Sequence, residues 1–236
     1  AAFAQRTDVN YDESKVPKYV LPDPLVLNNG ERVRDARTWN TRRRPEILEL
    51  FRSNVFGRMP GRPQGMTFEL AEINQQALGG SAIRKQVVVY FSKKKDGPKM
   101  EILLYLPAGA RKPVPVFLGL NFTGNHSANA DPGIRLGDLW PRDAATKKSG
   151  KQHATDASRG AAASRWQIEK ILARGYGVAT IYYGDIEPDF NGGMPHGVRP
   201  LFAKPGETRA ADAWAAIGAW AWGLSRAMDY LETDKN

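Results

Sequence analysis

The chain has 236 residues, of which 42% are hydrophobic and 25% are charged, with a formal net charge of +9 and no cysteine. This length suits one large α/β domain or two small ones, and the lack of cysteine excludes disulfides, thiolate metal sites and a cysteine nucleophile. No apolar run approaches the length that spans a bilayer, so we expect no membrane partner. The basic charge favours acidic partners, but no nucleic-acid-binding motif accompanies it. We therefore expect no nucleic-acid partner, while an acidic carbohydrate remains open.

The first 40 residues are rich in Pro, Asn, Asp and Arg and show no steady hydrophobic period. This pattern predicts an extended arm over residues 1–40. Within it, Ala2-Phe3-Ala4 matches the small-residue end of a secretory signal whose apolar region has been removed. An arbitrary start of the chain would look the same, but we favour export and expect a secreted or periplasmic protein.

A helix and three strands are predicted next. The helix has Thr41 as a candidate cap and Pro45 in its first turn, and it ends at Gly57. The alternation of apolar and polar residues then predicts strands at residues 67–73, 82–91 and 100–106. The last two are joined by residues 93–97, which are typical of a charged hairpin turn.

The middle of the chain predicts two buried strands. The first, residues 114–120, leads into a polar loop at 121–126, and the second covers residues 178–183. Between them lie a long irregular segment, residues 127–164, and a helix for which Ser164 and Gln167 make a capping box. Strand, helix and strand form a βαβ crossover, so the two strands are predicted to be parallel neighbours. A last, strongly apolar helix is predicted at about residues 209–231.

The usual nucleophile motif of a serine hydrolase, G-x-S-x-G, is absent from the sequence. The nearest match surrounds Ser225, which lies inside the last predicted helix, and we interpret it as an ordinary helix serine. The three histidines, His126, His153 and His196, lack metal-ligand spacing, so we expect no metal and no cofactor. His126 follows the first buried strand, where a hydrogen-bonding role in the loop is favoured over a direct role in a site.

Acidic and aromatic residues offer further candidates. Asp185, Glu187 and Asp189 follow the second buried strand, where paired carboxylates can do acid–base work, although turn contacts and loop salt bridges are favoured. Three aromatic residues can line a sugar-binding cleft: Trp140, Trp166 and Phe190. A core role for Trp166 explains its position equally well.

Five blocks in the middle of the chain carry a family resemblance. They are Asn121-Phe122-x-Gly124-Asn125-His126, Ser158-Arg159-Gly160, Ser164-Arg165-Trp166, Ala173-Arg174-Gly175-Tyr176-Gly177-Val178-Ala179-Thr180 and Tyr183-Gly184-Asp185. Together they resemble bacterial glucuronoyl esterases of carbohydrate esterase family fifteen, which have the α/β-hydrolase fold. Less specific blocks at 44–58 and 220–231 extend the resemblance from about residue 40 to the end.

The resemblance implies an α/β fold, specifically the three-layer α/β-hydrolase sandwich, with a mixed, mostly parallel sheet and helices on both faces. Residues 41–236 would be the N-terminal part of this domain, and residues 127–164 an insertion that walls the substrate cleft. The residues expected to contact substrate are Asn121, Phe122, His126, Arg159, Trp166 and Asp185.

The family's chemistry is not carried onto any residue of this sequence. Its serine motif, G-x-S-R-x-G-K, comes on the strand after the Trp-rich helix, and this sequence ends at that helix. The catalytic serine, histidine and acid are therefore expected beyond Asn236, in a C-terminal remainder of the same polypeptide.

Three hypotheses follow from the resemblance. The first is a serine carboxylesterase of plant cell-wall degradation, which cleaves glucuronoyl esters that link glucuronoxylan to lignin through an acyl-enzyme. The second is an acetyl-xylan or general carboxylesterase. The third is a non-catalytic, esterase-like carbohydrate-binding protein, which requires the chain to end at Asn236.

Overall fold

The computed structural model describes residues 9–111, 113–141, 150–204, 206 and 208–235. The candidate signal remnant, Ala2-Phe3-Ala4, lies outside these residues, and so does the central part of the predicted insertion, residues 142–149. The chain divides into two compact units, Ala1–Phe51 and Arg52–Asn236.

The first unit is helical in its second half. A 3₁₀ turn at Glu13–Lys15 precedes α1 (Ala36–Thr38), a π-helical segment (Trp39–Arg43) and α2 (Arg44–Phe51). The helical segment therefore begins before the predicted Thr41. Asp35 caps it by accepting a hydrogen bond from the backbone N–H of Thr38, whereas the Thr41 hydroxyl donates to the carbonyl of Arg37.

The second unit begins with a π-helical segment, Arg52–Phe56, and contains seven described strands and five described α-helical segments. The strands are β1 (Thr67–Gln76), β2 (Ala82–Tyr90), β3 (Lys99–Pro107), β4 (Val116–Asn121), β5 (Asp138–Leu139), β6 (Gln152–His153) and β7 (Gly177–Tyr182). The helices are α3 (Ala77–Gly80), α4 (Ala163–Trp166), α5 (Ile168–Leu172), α6 (Tyr183–Ile186) and α7 (Ala216–Leu231). Within the described residues, no helix combines the length and apolarity needed to cross a membrane.

Five strands form one open sheet in the order β1-β2-β3-β7-β4, and β5 pairs with β6 in a separate hairpin. The predicted parallel pairing is confirmed, because β4 and β7 run side by side from Val116 opposite Gly177 to Asn121 opposite Tyr182. The other three pairings of the main sheet are antiparallel. The sheet is thus mixed as expected, but in the described residues its larger part is antiparallel, since β1, β2 and β3 are joined by short connections.

Helices cover both faces of the sheet, as the three-layer sandwich requires. On one face α7 packs against alternate residues of β2, β3 and β7, and the ring of Trp222 lies 5.1 Å from that of Phe91. On the other face Ile168 and Leu172 of α5 pack against Leu103 and Tyr105 of β3.

The helix between the two parallel strands differs from the predicted one. It is split into α4 and α5 by Gln167, which has a left-handed backbone with φ of 45°. The Gln167 amide nitrogen donates to the carbonyl of Ser164 at 2.6 Å, so these residues do not form the predicted capping box. The final helix begins at Ala216, later than expected, and Ser225 lies within it as an exposed helix residue.

Candidate functional site

The candidate site lies where the two parallel strands end. Because β4 and β7 are in register up to Asn121 and Tyr182, both strands deliver their following loops to the same edge of the sheet. In open α/β sheets this edge, outside the carboxyl ends of the strands, is where ligands bind.

Asn121 is the last residue of β4 and is almost fully buried, with 2% of its surface exposed. Its amide nitrogen donates to the hydroxyl of Thr180 on β7 at 3.0 Å and to the side-chain oxygen of Asn125 at 2.7 Å. Its own side-chain oxygen is buried and has no partner among the described residues. Asn121 therefore holds the loop against the sheet and retains one unused acceptor.

The loop after β4 turns at Gly124, whose φ is 83°. The turn is closed by Ser127, which donates to the Gly124 carbonyl through both its backbone N–H at 3.0 Å and its hydroxyl at 2.7 Å. The Thr123 hydroxyl lies 2.6 Å from that of Ser127. These three hydrogen bonds hold the turn from within the loop.

His126 is fully buried behind this loop. Its Nε2 lies 2.8 Å from the hydroxyl of Ser158, and that hydroxyl donates to the carbonyl of Thr155. Nε2 is therefore the protonated nitrogen, and Nδ1 is a buried acceptor without a partner in the described residues. Burial, followed by the positive charge of Arg159, lowers the pKa of His126 below its ordinary value and so favours the neutral ring.

A cavity of about 450 Å³, here called the β4 cavity, opens beside the end of β4. Phe122 is 55% exposed at this cavity. Trp166 lies so close to β4 that a methyl group added to Gly119 would meet its ring at 3.2 Å, a tighter contact than is usual. The lining residues are Leu120, Asn121, Phe122, Thr123, Ala161, Ala162, Ser164, Arg165 and Trp166.

A second cavity of about 390 Å³, here called the polar cavity, lies on the other side of the same loop. Asp185 lines it with a side chain that is 18% exposed, 3.4 Å from the ammonium of Lys151 and 3.4 Å from the backbone N–H of Glu101. Burial is the main cause that raises the pKa of Asp185 to about 6, and the charge of Glu101 adds to it, while Lys151 opposes it.

Arg159 contacts the backbone next to the loop and lines neither cavity. Its guanidinium pairs with Asp156 at 2.6 Å and donates to the carbonyls of Asp131 at 3.1 Å and Ile134 at 2.7 Å. On the opposite side, Arg84 of β2 pairs with Asp131, which also accepts from the hydroxyl of Tyr105 at 2.6 Å. Arg159 and Arg84 thus anchor the segment at 131–134 from two directions.

The six residues predicted to contact substrate are divided among three places. Asn121, Phe122 and Trp166 line the β4 cavity, Asp185 lines the polar cavity, and His126 and Arg159 support the backbone behind them. Their contact with substrate remains a prediction. Three further lining residues were not predicted from the sequence: Thr123 and Arg165 of the β4 cavity and Lys151 of the polar cavity. Thr123 and Arg165 lie within the blocks that carry the family resemblance, whereas Lys151 lies outside them.

The other acidic and aromatic candidates are also separated. Glu187 is buried and forms a double hydrogen bond with Arg199, so it takes part in a structural ion pair. Trp140 packs against Phe190 at 5.3 Å and against His196 at 4.9 Å. Of these three residues His196 lines the polar cavity, whereas Trp166 lines the β4 cavity. Within the described residues, no group of three or more His, Asp or Glu side chains is placed to hold a metal ion.

This chain has the α/β-hydrolase fold: an open mixed sheet with helices on both faces and a cavity at the end of the parallel pair β7 and β4, which lies at one edge of the described sheet. No protein-family model matches the chain. A curated relative, the carbohydrate esterase MZ0003 from an unknown prokaryotic organism, is 50% identical over 236 residues, which cover 98% of this chain and 54% of the relative.

Solved structures give the same result. A glucuronoyl esterase from Solibacter usitatus is 54% identical with a TM-score of 0.88, over 94% of this chain and 56% of that one. A structure described as a promiscuous CE15 esterase from a marine bacterial metagenome is 49% identical with a TM-score of 0.80, over 95% of this chain and 56% of that one. These matches confirm the predicted resemblance to carbohydrate esterase family fifteen. The chain spans about half the length of the relatives it matches.

Proposed function

We propose that this chain is part of a serine carboxylesterase that hydrolyses glucuronoyl esters of glucuronoxylan, including those that link it to lignin. The observation that carries the proposal is the 54% identity and TM-score of 0.88 to a glucuronoyl esterase, over almost all of this chain. The catalytic serine, histidine and acid are proposed to lie in sequence outside these 236 residues, in the remainder of the same polypeptide.

The proposed reaction is acyl transfer through a serine ester. The serine hydroxyl adds to the ester carbonyl while the histidine takes its proton, and the alcohol leaves with that proton. Water then cleaves the acyl-enzyme, which releases the uronic acid and restores the serine. The loop 121–126 borders the acyl group, since it follows a parallel strand at the edge of the sheet where such sites form.

The β4 cavity is proposed to hold the uronate ring. Phe122 and Trp166 offer aromatic faces to the sugar, while Thr123 and Ser164 offer hydroxyls. Arg165 is exposed at this cavity and adds a positive charge beside the carboxyl group, which becomes anionic on hydrolysis.

The test is ester hydrolysis by the full-length polypeptide that carries this sequence. We expect it to cleave benzyl glucuronate and to cleave acetylated xylan far more slowly. Phe122→Ala should lower kcat/KM for benzyl glucuronate by tenfold or more, whereas Phe117→Ala, which truncates a phenylalanine of similar exposure outside the cavity, should leave it within about twofold. Equal losses in both variants would contradict the assignment of the β4 cavity.

A broader carboxylesterase is the second candidate. It is favoured by the 49% identity to a protein described as a promiscuous CE15 esterase. Comparable kcat/KM values for acetyl and glucuronoyl esters would support it against the first. If neither ester is hydrolysed, the remaining hypothesis is a non-catalytic carbohydrate-binding protein.

We also propose that the protein is secreted or periplasmic. Cell fractionation of the native host tests this location.

A further inference from the structure

Two ion pairs and one histidine–carboxylate contact lie around the polar cavity. Lys151 lies 3.4 Å from Asp185, Arg135 lies 3.6 Å from Glu101, and Nδ1 of His153 lies 2.8 Å from Asp138. Lys99 also lines the cavity. With histidine counted as neutral, Lys99, Arg135 and Lys151 balance three carboxylates, and the formal charges of the lining cancel. A lining without net charge gives no Coulombic preference for an anion or a cation, and it offers donors and acceptors side by side.

The Asp185 carboxylate in this cavity retains hydrogen-bonding capacity. The contacts of Asp185 with Lys151 and with the N–H of Glu101 are both 3.4 Å long, beyond the ordinary distance of a strong hydrogen bond. The raised pKa of Asp185 agrees with these long contacts, because a carboxylate that was well solvated or tightly paired would not have a raised pKa. Such a group gains most from a ligand that brings O–H donors.

Two ring side chains also line the cavity. Tyr182 and His196 line it, and the His196 ring lies 4.9 Å from that of Trp140. The Tyr182 hydroxyl accepts from the backbone N–H of Trp140 at 2.9 Å, which fixes the ring. Flat rings beside paired donors and acceptors suit a ligand that has both apolar C–H faces and hydroxyl edges.

The position of the cavity relates it to the β4 cavity. Asn121, Phe122 and Thr123 line the β4 cavity, and the next two residues, Gly124 and Asn125, line the polar cavity. The hydrogen bond from Asn121 to Asn125 joins the two sides of this loop. A chain-like ligand that occupies one cavity is therefore within reach of the other.

We propose that the polar cavity is a separate binding site for neutral sugar residues of a polysaccharide, with Asp185 and Lys151 as the central hydrogen-bonding pair. The choice of sugar rests on the proposed function, since a glucuronoxylan ester carries neutral xylose units beside its uronate. The site itself depends only on the described residues. Its volume lies within the range of about 300–1,000 Å³ that is usual for ligand pockets.

The experiment is calorimetric titration of the full-length polypeptide with xylotetraose, a neutral probe without any ester. Asp185→Asn and Lys151→Met should each weaken binding by tenfold or more, with the fold verified by the thermal midpoint. Lys93→Met is the matched control, because it makes the same charge change in an exposed residue outside the cavity, and it should leave Kd within about twofold.

Two further results decide between sites. Phe122→Ala should leave xylotetraose binding unchanged. If Phe122→Ala abolishes binding while Asp185→Asn does not, the sugar binds in the β4 cavity and the proposal is overturned. The proposal also fails if the unaltered protein does not bind xylotetraose, whatever its esterase activity. Conversely, Asp185-dependent binding without hydrolysis of benzyl glucuronate would support the sugar site and refute the proposed esterase function.

Discussion

Asn121 on β4 donates a hydrogen bond of 3.0 Å to the hydroxyl of Thr180 on β7, and so joins the two parallel strands at the edge where both deliver their loops. Asn121→Ala removes this bond and the bond to Asn125, so we expect a stability loss of about 1–3 kcal/mol from the buried groups left unsatisfied. We also expect a tenfold or greater loss of kcat/KM, because the loop is released. Thr180→Val keeps the shape of the strand and should cost only about 1 kcal/mol. Denaturant unfolding and ester hydrolysis measure both effects; a larger activity loss in Thr180→Val would argue against this role of Asn121.

A buried ion pair anchors the segment at 131–134 to the sheet. Arg84 and Asp131 are 5% and 9% exposed, so Arg84→Met leaves a buried carboxylate without its cation. We expect this change to lower the free energy of unfolding by about 3–5 kcal/mol. Lys95→Met is a suitable control, since it breaks an exposed pair with Glu69 and should cost at most about 1 kcal/mol. Similar unfolding midpoints for the two variants would contradict the expected difference.

The turn at Gly124 requires glycine for two reasons. Its φ of 83° is unfavourable for other residues, and a methyl group there would lie 2.8 Å from Leu139 and 2.9 Å from the His126 ring. Gly124→Ala should therefore destabilise the protein by about 1–3 kcal/mol. Gly137 lines the same polar cavity but has open space around it, so Gly137→Ala should be nearly neutral. Thermal melting of both variants is the measurement, and a neutral Gly124→Ala would show that the loop can rearrange.

Asp185 should make stability depend on pH. Its pKa is raised from 3.8 to about 6, so the folded protein holds this proton more tightly than the unfolded chain does. The contribution of Asp185 to the free energy of unfolding is favourable below about pH 4 and is lost as the pH rises through about 6. Asp185→Asn removes the cost of burying the charge. We therefore expect the change in the free energy of unfolding that it causes to be about 2–3 kcal/mol more favourable at pH 7.5 than at pH 4. The difference between variant and parent in the unfolding midpoint, measured at both pH values, tests this. A variant that is less stable at pH 7.5 would mean that Lys151 more than compensates the burial.

Much of the fold was readable from the sequence because the signals were local. The alternating strands β1 to β3, the buried strands β4 and β7, and the parallel pairing of the last two all follow from hydrophobic period and chain order. The helix starts were predicted less accurately. Asp35, and not Thr41, caps the first helical segment, and no local sequence pattern predicted the left-handed backbone of Gln167.

The candidate site could be predicted from the sequence only in part, because contacts between distant segments decide which residues share a cavity. Asn121 and Asp185 both follow buried strands, and the sequence placed them at one edge of the sheet. It could not show that the turn at Gly124 would separate them into two cavities, because that turn is held by Ser127 and packed against Leu139 of a distant hairpin. Nor could the sequence show that the Arg159 guanidinium would donate its hydrogen bonds to backbone carbonyls.

The sequence by itself determined the class of the fold, the two parallel strands and the loop that follows each of them, since these depend on period and order along the chain. Only the tertiary structure decided which side chains share a cavity and which protonation states they favour. Those properties arise from burial and from charges brought together over long separations, as when Lys151 and Glu101 meet Asp185.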